Sequence, residues 1–138
     1  MTERSFLDTN ILIYADDLDT GEKNTAALEL LTASMRDGVA VLSTQVLQEY
    51  FVVATRKLGV DPVGARRRIE LLAHADVVRI DVPDIFAAID LHRLHSLSFW
   101  DALIVRAASV GGCARVLSED MQHDAVIDGV RIENPFRA

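Results

Sequence analysis

Four carboxylates occupy positions that a folded chain would ordinarily leave to apolar or plainly solvated side chains. Asp8 stands between two apolar stretches, where burial of an unpartnered carboxylate is very costly. Glu49 borders the apolar face of a helical segment, Asp101 falls in the first turn of a nearly all-apolar one, and Asp120 follows a strand-like segment. If the four converge, their like charges repel unless a cation lies among them. Hard oxygen ligands without His or Cys favour Mg²⁺, or Mn²⁺, over zinc.

Each of these acids also has a plain structural interpretation when it is taken alone. Asp8 could cap the helical turn that follows it. Asp101 suits the N-terminal dipole of its helix, with Ser98 three residues earlier as in a capping box. Glu49 could reach solvent from the border of its helix, and Asp120 could be an ordinary loop acid. The combination indicates a site more strongly than any single position does.

The composition is that of a folded domain. Half of the 138 residues are hydrophobic, so residues 1–138 are expected to form a single domain with a substantial core. No apolar run is long enough to span a bilayer, and the N-terminal residues do not resemble a signal peptide. Cys113 is the one cysteine, which excludes an internal disulfide. We therefore expect a cytoplasmic protein that does not associate with membranes.

The net charge limits how the chain could meet nucleic acid. Fourteen basic and twenty-one acidic residues give −7, which argues against broad electrostatic adhesion to a polyanion. It does not exclude an enzyme that acts on nucleic acid through metal ions held by acidic side chains.

Strand-like and helix-like segments alternate along the chain. The pattern predicts strands over 4–7, 39–43, 77–80, 114–118 and 130–134, and helices over 10–15, 22–38, 44–59, 61–75, 83–96 and 98–112. This alternation is typical of an α/β fold with helices on both faces of a parallel sheet. Ligands of such folds bind beyond the carboxyl ends of the strands, where the strand order reverses. Asp8 and Asp120 both follow strands and are expected at that edge.

Four short motifs resemble a known family. They are FLDTNILIYA around Asp8, LQEY around Glu49, SFWDALIVRAA around Asp101 and VLSEDMQH around Asp120. In this order they resemble a PIN-domain nuclease, and more narrowly a VapC-type toxin of bacterial or archaeal toxin–antitoxin pairs. The resemblance runs from about residue 4 to residue 136. It implies a three-layer α/β/α sandwich around a parallel sheet of about five strands, RNA as substrate, an antitoxin partner that blocks the site, and a homodimer.

The resemblance assigns the four acids to metal binding. Asp8 and Asp101 would be the principal ligands of one or two Mg²⁺ ions, and Glu49 and Asp120 would bind directly or through water. Such ions neutralise the phosphodiester, lower the pKa of a bound water and stabilise the leaving oxygen of an in-line displacement. The implied products have 5′-phosphate and 3′-hydroxyl ends.

The resemblance also gives roles to polar neighbours of these acids. Thr9, Asn10 and Ser118 would fix the orientation of the carboxylates through hydrogen bonds. Asp124 is a departure, because the family commonly has glycine after the Gln-His of this loop. Glycine would allow a positive φ there, which Asp tolerates less easily.

Other functions stay open on the sequence alone. A haloacid-dehalogenase-like phosphatase would need Asp-x-Asp after the first strand, but Asn10 fills the second position, and no lysine follows Lys57. A receiver domain could use Asp81 after the third strand, yet it lacks the same later lysine. An RNA-processing PIN nuclease that is not a toxin, or an interaction module with a silent acidic pocket, remains an alternative.

Three further features have competing interpretations. Arg66–Arg68 could guide an RNA backbone, or form a solvated helix face that meets an acidic partner. His92 and His95 have i, i+3 spacing, but helix histidines are more often surface residues than ligands. Phe99 and Trp100 could stack on a base, although packing in the core is the favoured expectation for both.

Overall fold

Helices and strands alternate through residues 3–137, the part of the chain that the computed structural model describes. The strands are β1 (Ser5–Leu7), β2 (Ala40–Ser43), β3 (Asp76–Val78), β4 (Arg115–Leu117), β5 (Val126–Ile127) and β6 (Val130–Glu133). The helices are α1 (Thr9–Asp16), α2 (Glu22–Arg36), α3 (Thr44–Arg56), α4 (Pro62–Leu72), α5 (Val82–His95) and α6 (Phe99–Val110), with a short 3-10 helix at Leu18–Thr20. The predicted segments agree with these bounds to within a few residues.

The sheet has the order β3-β2-β1-β4-β6-β5. All neighbouring strands are parallel except β5, which pairs with β6 in the antiparallel direction. The predicted α/β fold with a parallel sheet and sandwich architecture is therefore confirmed. The addition is the hairpin of β5 and β6, whose turn residues Asp128 and Gly129 both have positive φ. A two-residue turn with positive φ at both positions matches the right-handed twist of the two strands that it joins.

Strand β1 is central and buried on both faces. Phe6 lies opposite Val41 of β2 on one side and Val116 of β4 on the other, and none of the three is exposed to solvent. A strand covered on both faces has no polar side to alternate with, which explains the continuous apolar run before Asp8. The core thus fixes the position at which the chain leaves β1.

Three helices begin at the carboxyl edge of the sheet or beside it, each with a polar cap. Asp8 caps α1 by accepting a hydrogen bond from Thr9 N at 2.7 Å. Ser43 caps α3, and Ser98 caps α6 by accepting from Asp101 N at 3.1 Å. The capping interpretation of Asp8 is correct, and capping does not prevent the same carboxylate from serving a site.

The loop after β4 has a positive φ at Asp124, the position where the family commonly has glycine. Asp124 has φ of 68°, so the left-handed conformation that glycine would favour is present with Asp in its place. Its backbone N donates to Ile132 O at 2.8 Å, which holds the loop on β6. The side chain is exposed and lies 3.4 Å from His123. Separately, no helix within residues 3–137 is long and apolar enough to cross a membrane.

Candidate active site

The strand order reverses between β1 and β4, and two of the predicted site residues lie at that point. Strand β1 is followed in the sheet by β2 on one side and by β4 on the other. Asp8 directly follows β1, and Asp120 follows β4 after two intervening residues. In open α/β sheets this crevice is where ligands bind.

Asp8 is almost fully buried, with 6% of its surface exposed, and is held by hydrogen-bond donors. One carboxylate oxygen accepts from Thr9 N, and the other accepts from Ser118 Oγ at 2.7 Å. Burial, with smaller contributions from the charges of Glu49 and Asp101, raises the pKa of Asp8 to about 6 against the opposing effect of these hydrogen bonds. At neutral pH the side chain is a desolvated carboxylate facing other negative charges.

Asn10 and Ser118 connect Asp8 to Asp120. Asn10 Nδ2 donates to Asp120 Oδ2 at 3.1 Å, and Asn10 Oδ1 accepts from Glu119 N at 3.2 Å. Ser118 Oγ, which donates to Asp8, also accepts from Asp120 N at 3.1 Å. These contacts fix the backbone and the side chain of Asp120 relative to the end of β1.

Glu49 and Asp101 reach the same region from α3 and α6. Thr9 Oγ1 donates to Glu49 Oε1 at 2.9 Å, which links α3 to the start of α1. Asp101 is partly buried, and burial raises its pKa, as does the charge of Asp120. The hydrogen bond from Ser98 opposes this shift in pKa. The structure therefore brings the four predicted acids together through three charge interactions, of Asp8 with Glu49, of Asp8 with Asp101, and of Asp101 with Asp120.

We call Asp8, Glu49, Asp101 and Asp120 the acidic cluster. Within the described residues, no lysine, arginine or histidine forms an ion pair with any of its members, although other acids of the chain do form such pairs. A group of hard anionic oxygens without a protein counter-charge matches the donor chemistry of a divalent cation such as Mg²⁺.

The four acids as placed do not form a complete metal-binding site. In residues 3–137, no group of three or more His, Cys, Asp and Glu side chains is arranged so that it could hold a metal ion. Thr9 and Ser118 occupy oxygens of Asp8 and Glu49 in this arrangement. Repulsion between like charges favours such an open arrangement. The donor set fits a metal, and the side chains or water must complete its coordination.

An open cleft of about 960 Å³ adjoins the cluster. Its walls are formed by Thr9, Asn10, Ile13, Tyr14, Asp17, Gln45, Gln48, Glu49, Val52, Val53, Lys57, Leu58, Trp100 and Asp120. Gln45, Gln48, Tyr14 and Lys57 were not singled out by sequence reasoning. The spacing offered a clue for Gln45, because it lies four residues before Glu49 and so shares its face of α3.

Trp100 does not pack in the core, so that expectation was wrong for this residue. Its side chain is 62% exposed and lines the cleft beside the acidic cluster. Phe99, by contrast, is partly buried and packs against the core, as expected. The two rings meet edge to face, with 5.3 Å between their centroids. The physical reason is position: the first turn of α6 presents Trp100 toward the open cleft instead of toward the sheet.

The other candidate features lie elsewhere in the described structure. His92 and His95 are both exposed on α5, and His92 Nδ1 is hydrogen-bonded to Leu97 O. In the arginine segment, Arg68 forms an ion pair with Asp16 at 2.8 Å, which joins α4 to α1. Arg66 forms an exposed pair along its own helix.

The fold and the acidic cluster together define an α/β protein with an acid-lined cleft at a topological switch point. The family model of the PIN domain matches residues 5–128, so the chain belongs to the PIN-domain family. This confirms the family indicated by the four motifs. It supports nuclease as the class of activity. A comparison of the sequence with curated proteins found no match.

Several solved structures have the same fold. A toxin–antitoxin complex from Klebsiella pneumoniae aligns with a TM-score of 0.70 and 22% identity, covering 97% of this chain and 99% of that one. Mycobacterium tuberculosis VapC20, described as a toxin that cleaves the sarcin-ricin loop, aligns with a TM-score of 0.68 and 21% identity. This alignment covers 84% of this chain and 91% of that one. DNA-bound VapBC from Salmonella typhimurium aligns with a TM-score of 0.69 and 18% identity, covering 98% of this chain and 99% of that one. At these identities the likeness establishes the shared fold.

Proposed function

We propose that this protein is a metal-dependent endoribonuclease and the toxin of a toxin–antitoxin pair. The observation that carries the proposal is the acidic cluster, four carboxylates that form no ion pair with a basic residue of 3–137, at the switch point of a PIN fold. A buried Asp8 with a raised pKa is unfavourable for the metal-free protein. A divalent cation would remove that penalty, and nucleic-acid cleavage would give the cation a function.

The residues of the cluster would share the binding of Mg²⁺, with Mn²⁺ as an alternative ion. Asp8 and Asp101 would be the principal ligands, and Glu49 and Asp120 would bind directly or through water. When bound, the metal supplies an activated water and neutralises charge on the phosphodiester and on its leaving oxygen.

The polar neighbours would orient these ligands. Ser118 and the backbone of Thr9 hold the Asp8 carboxylate from two sides. The Thr9 hydroxyl holds Glu49, and Asn10 holds Asp120. Hydrogen bonds of this kind fix carboxylate orientation, and their loss typically reduces metal affinity or activity by about 10–100-fold.

The charge of the cleft makes RNA binding dependent on the metal. Among the residues that line it, Asp17, Glu49 and Asp120 are acidic and Lys57 is the basic one. A phosphate group approaching this surface meets net negative charge unless a cation intervenes. This reconciles a nuclease with a chain of net charge −7.

The toxin assignment rests on the structural neighbours. The aligned structures are described as a toxin–antitoxin complex, a VapC toxin and a VapBC complex, and they cover 97%, 84% and 98% of this chain. We propose by analogy a cognate antitoxin as partner, a homodimer as the assembly and a cytoplasmic location.

One observation favours a second candidate, an interaction module with a silent acidic pocket. The described residues contain no preformed three-ligand arrangement for a metal ion. If the side chains cannot close around a cation, the cleft would bind a partner without turnover.

Purified protein incubated with RNA separates the two candidates. We expect cleavage with Mg²⁺, products with 5′-phosphate ends, and no cleavage with EDTA. Asp101→Asn should remove the cleavage because the amide keeps the shape of the side chain and lacks the charge. Equal cleavage in EDTA, or no cleavage under any metal, would reject the metal-dependent nuclease.

Induction of the chain in a bacterial host tests the toxin assignment. Growth should stop with the parent sequence and continue with Asp101→Asn at the same expression level. RNA cleavage in the tube without growth arrest in the host would leave a PIN nuclease of RNA processing.

A further inference from the structure

A buried amide on the wall of the cleft has an unused hydrogen-bonding atom. Gln45 is 9% exposed, and its Oε1 is buried with no hydrogen-bond partner among residues 3–137. Its Nε2 faces Trp100 O at 3.4 Å. Because that carbonyl only accepts, the nitrogen must face it and the oxygen is the free end. The oxygen has almost no solvent-accessible surface, so a rotation of the amide toward the cleft would let it accept from an N–H donor of a ligand and relieve the unsatisfied acceptor.

An exposed aromatic face lies beside this amide. Trp100 lines the same cleft, and its ring is held at one edge by Phe99, which is anchored in the core. The contact with Gln45 ties the backbone of Trp100 to α3. An indole that lines the cleft and is mostly exposed offers a surface on which a flat ring can stack.

The rest of the cleft suits a neutral, flat group better than a phosphate. Ile13, Val52, Val53 and Leu58 supply apolar surface, and the charged residues on the walls are mostly acidic. A phosphate would be repelled from this interior, whereas an uncharged nucleobase would not. Glu49 shares a face of α3 with Gln45, and Asp101 follows Trp100 directly, so the base position adjoins the acidic cluster.

We propose that Trp100 and Gln45 form a nucleobase subsite that holds one base of the RNA next to the cleaved phosphodiester. This inference rests on the proposed nuclease function and identifies the residues that would select the base beside the cleaved bond. Trp100 stacks on the base, and Gln45 Oε1 accepts from an N–H on its edge. Because its donor faces Trp100 O, Gln45 offers the base an acceptor alone, which matches the amino groups of adenine and cytosine. The larger ring of adenine gives more surface for stacking, so adenine is the base expected to bind best.

Trp100 is the only tryptophan of the chain, so its fluorescence reports the stacking directly. The protein is titrated in EDTA, where cleavage is absent, with adenosine, cytidine, uridine and ribose 5-phosphate as separate probes. Excitation at the red edge of the indole band avoids absorption by the nucleosides. We expect saturable quenching by adenosine, weaker quenching by uridine, and none by ribose 5-phosphate.

Gln45→Met tests the amide without changing the size of the side chain. Loss of one base contact should weaken adenosine binding by about tenfold. Gln122→Met is the matched control, because Gln122 is exposed and does not line the cleft, and its adenosine affinity should equal that of the parent. Equal affinity of all three proteins, or quenching by ribose 5-phosphate alone, would overturn the subsite.

Cleavage kinetics test the ring. Trp100→Leu should raise KM for RNA by about tenfold or more with kcat less affected, and Trp100→Phe should restore much of the loss, since stacking on a base contributes about 1–3 kcal/mol. Both variants should keep the parent melting temperature because the side chain is mostly exposed.

The two proposals fail in distinguishable ways. RNA cleavage without nucleoside quenching, and with an unchanged KM in Trp100→Leu, removes the subsite and leaves the nuclease. Nucleoside quenching without cleavage keeps the subsite and removes the nuclease. Quenching by an apolar peptide but by no nucleoside would show that the cleft binds protein, which also overturns the subsite.

Discussion

Asp8 and Asp84 are both buried aspartates in the N-terminal region of a helix, but their surroundings act in opposite directions. Asp84 accepts from the backbone N of Asp81 at 3.0 Å and from Arg106 Nε at 3.0 Å, and these contacts lower its pKa. Asp8 accepts hydrogen bonds too, yet burial dominates and raises its pKa to about 6. The two aspartates differ first in desolvation, which dominates at Asp8, and then in their neighbours, since Asp84 has an arginine beside it and Asp8 has further carboxylates.

The contrast separates acids that stabilise the fold from acids that do not. Asp84 and Arg106 join α5 to α6, and Asp16 joins α1 to α4 through Arg68. The members of the acidic cluster have no such partner among the described residues, and for Asp8 and Asp101 the raised pKa means that the charge opposes folding at neutral pH. The acidic cluster therefore lowers the stability of the fold at this edge of the sheet. The proposed binding of a catalytic metal ion explains why these acids are present.

The largest expected effect is on activity, and it sharpens the contrast between the two aspartates. Asp8→Asn should reduce Mg²⁺-dependent RNA cleavage by several orders of magnitude, because the amide is nearly isosteric but does not neutralise a metal ion. Asp84→Asn should leave cleavage near the parent level once folding is confirmed by circular dichroism. The measurement is the cleavage rate at saturating Mg²⁺. Comparable losses in both variants would mean that Asp8 acts only through the fold.

Much of the fold was predictable because periodicity and caps are local. Ser98 indicated the start of α6, and the helix predicted over 61–75 begins at Pro62 in the structure. The hairpin of β5 was missed, since a two-residue strand has no periodicity. The Asp128-Gly129 pair, a strong hairpin turn signal, was available in the sequence.

The site was predictable only in part. Positions after strands indicated where Asp8 and Asp120 would lie, because topology decides that edge. The exposure of Trp100 could not be predicted from α6, which is apolar on nearly every face and so does not indicate which side meets the sheet. Whether the amide oxygen of Gln45 finds a hydrogen-bond partner depends on which groups of other helices and strands come near it, and that is a tertiary property.

The pH dependence of stability is the next largest effect. The folded protein holds the Asp8 proton more tightly than the unfolded chain, whose ordinary pKa is 3.8. Between those two pKa values the folded state binds more protons, so the free energy of unfolding falls as pH rises through this window. The loss is complete above about pH 6 and amounts to about 3 kcal/mol for the shift of Asp8.

Urea unfolding in EDTA across this pH range provides the measurement. Asp8→Asn is the reference, because it keeps the other titrating groups and removes this one. The difference in unfolding free energy between parent and variant should shift in favour of the variant as pH rises. A constant difference at all pH values would show that Asp8 is not a strained carboxylate.

A smaller effect is expected from the hydroxyl that joins Asp8 to Asp120. Ser118 is fully buried, donates to Asp8 and accepts from Asp120 N. Ser118→Ala should lower Mg²⁺-dependent cleavage by about 10–100-fold, because the carboxylates lose their orientation. Ser34→Ala, a buried serine of α2 away from the cleft, is the control and should keep parent activity. Equal activity of both variants would remove Ser118 from the support of the site.

The most direct test of the whole account is the sign of two stability changes measured together. In EDTA at about pH 7.5, Asp8→Asn should raise the free energy of unfolding by about 1–2 kcal/mol, because a buried charge among like charges is removed. Under the same conditions Asp84→Asn should lower it by about 1–2 kcal/mol, because its partly exposed ion pair with Arg106 is broken. Opposite signs are the predicted result. A loss of stability in both variants would contradict the claim that the acidic cluster destabilises the fold and is present for function.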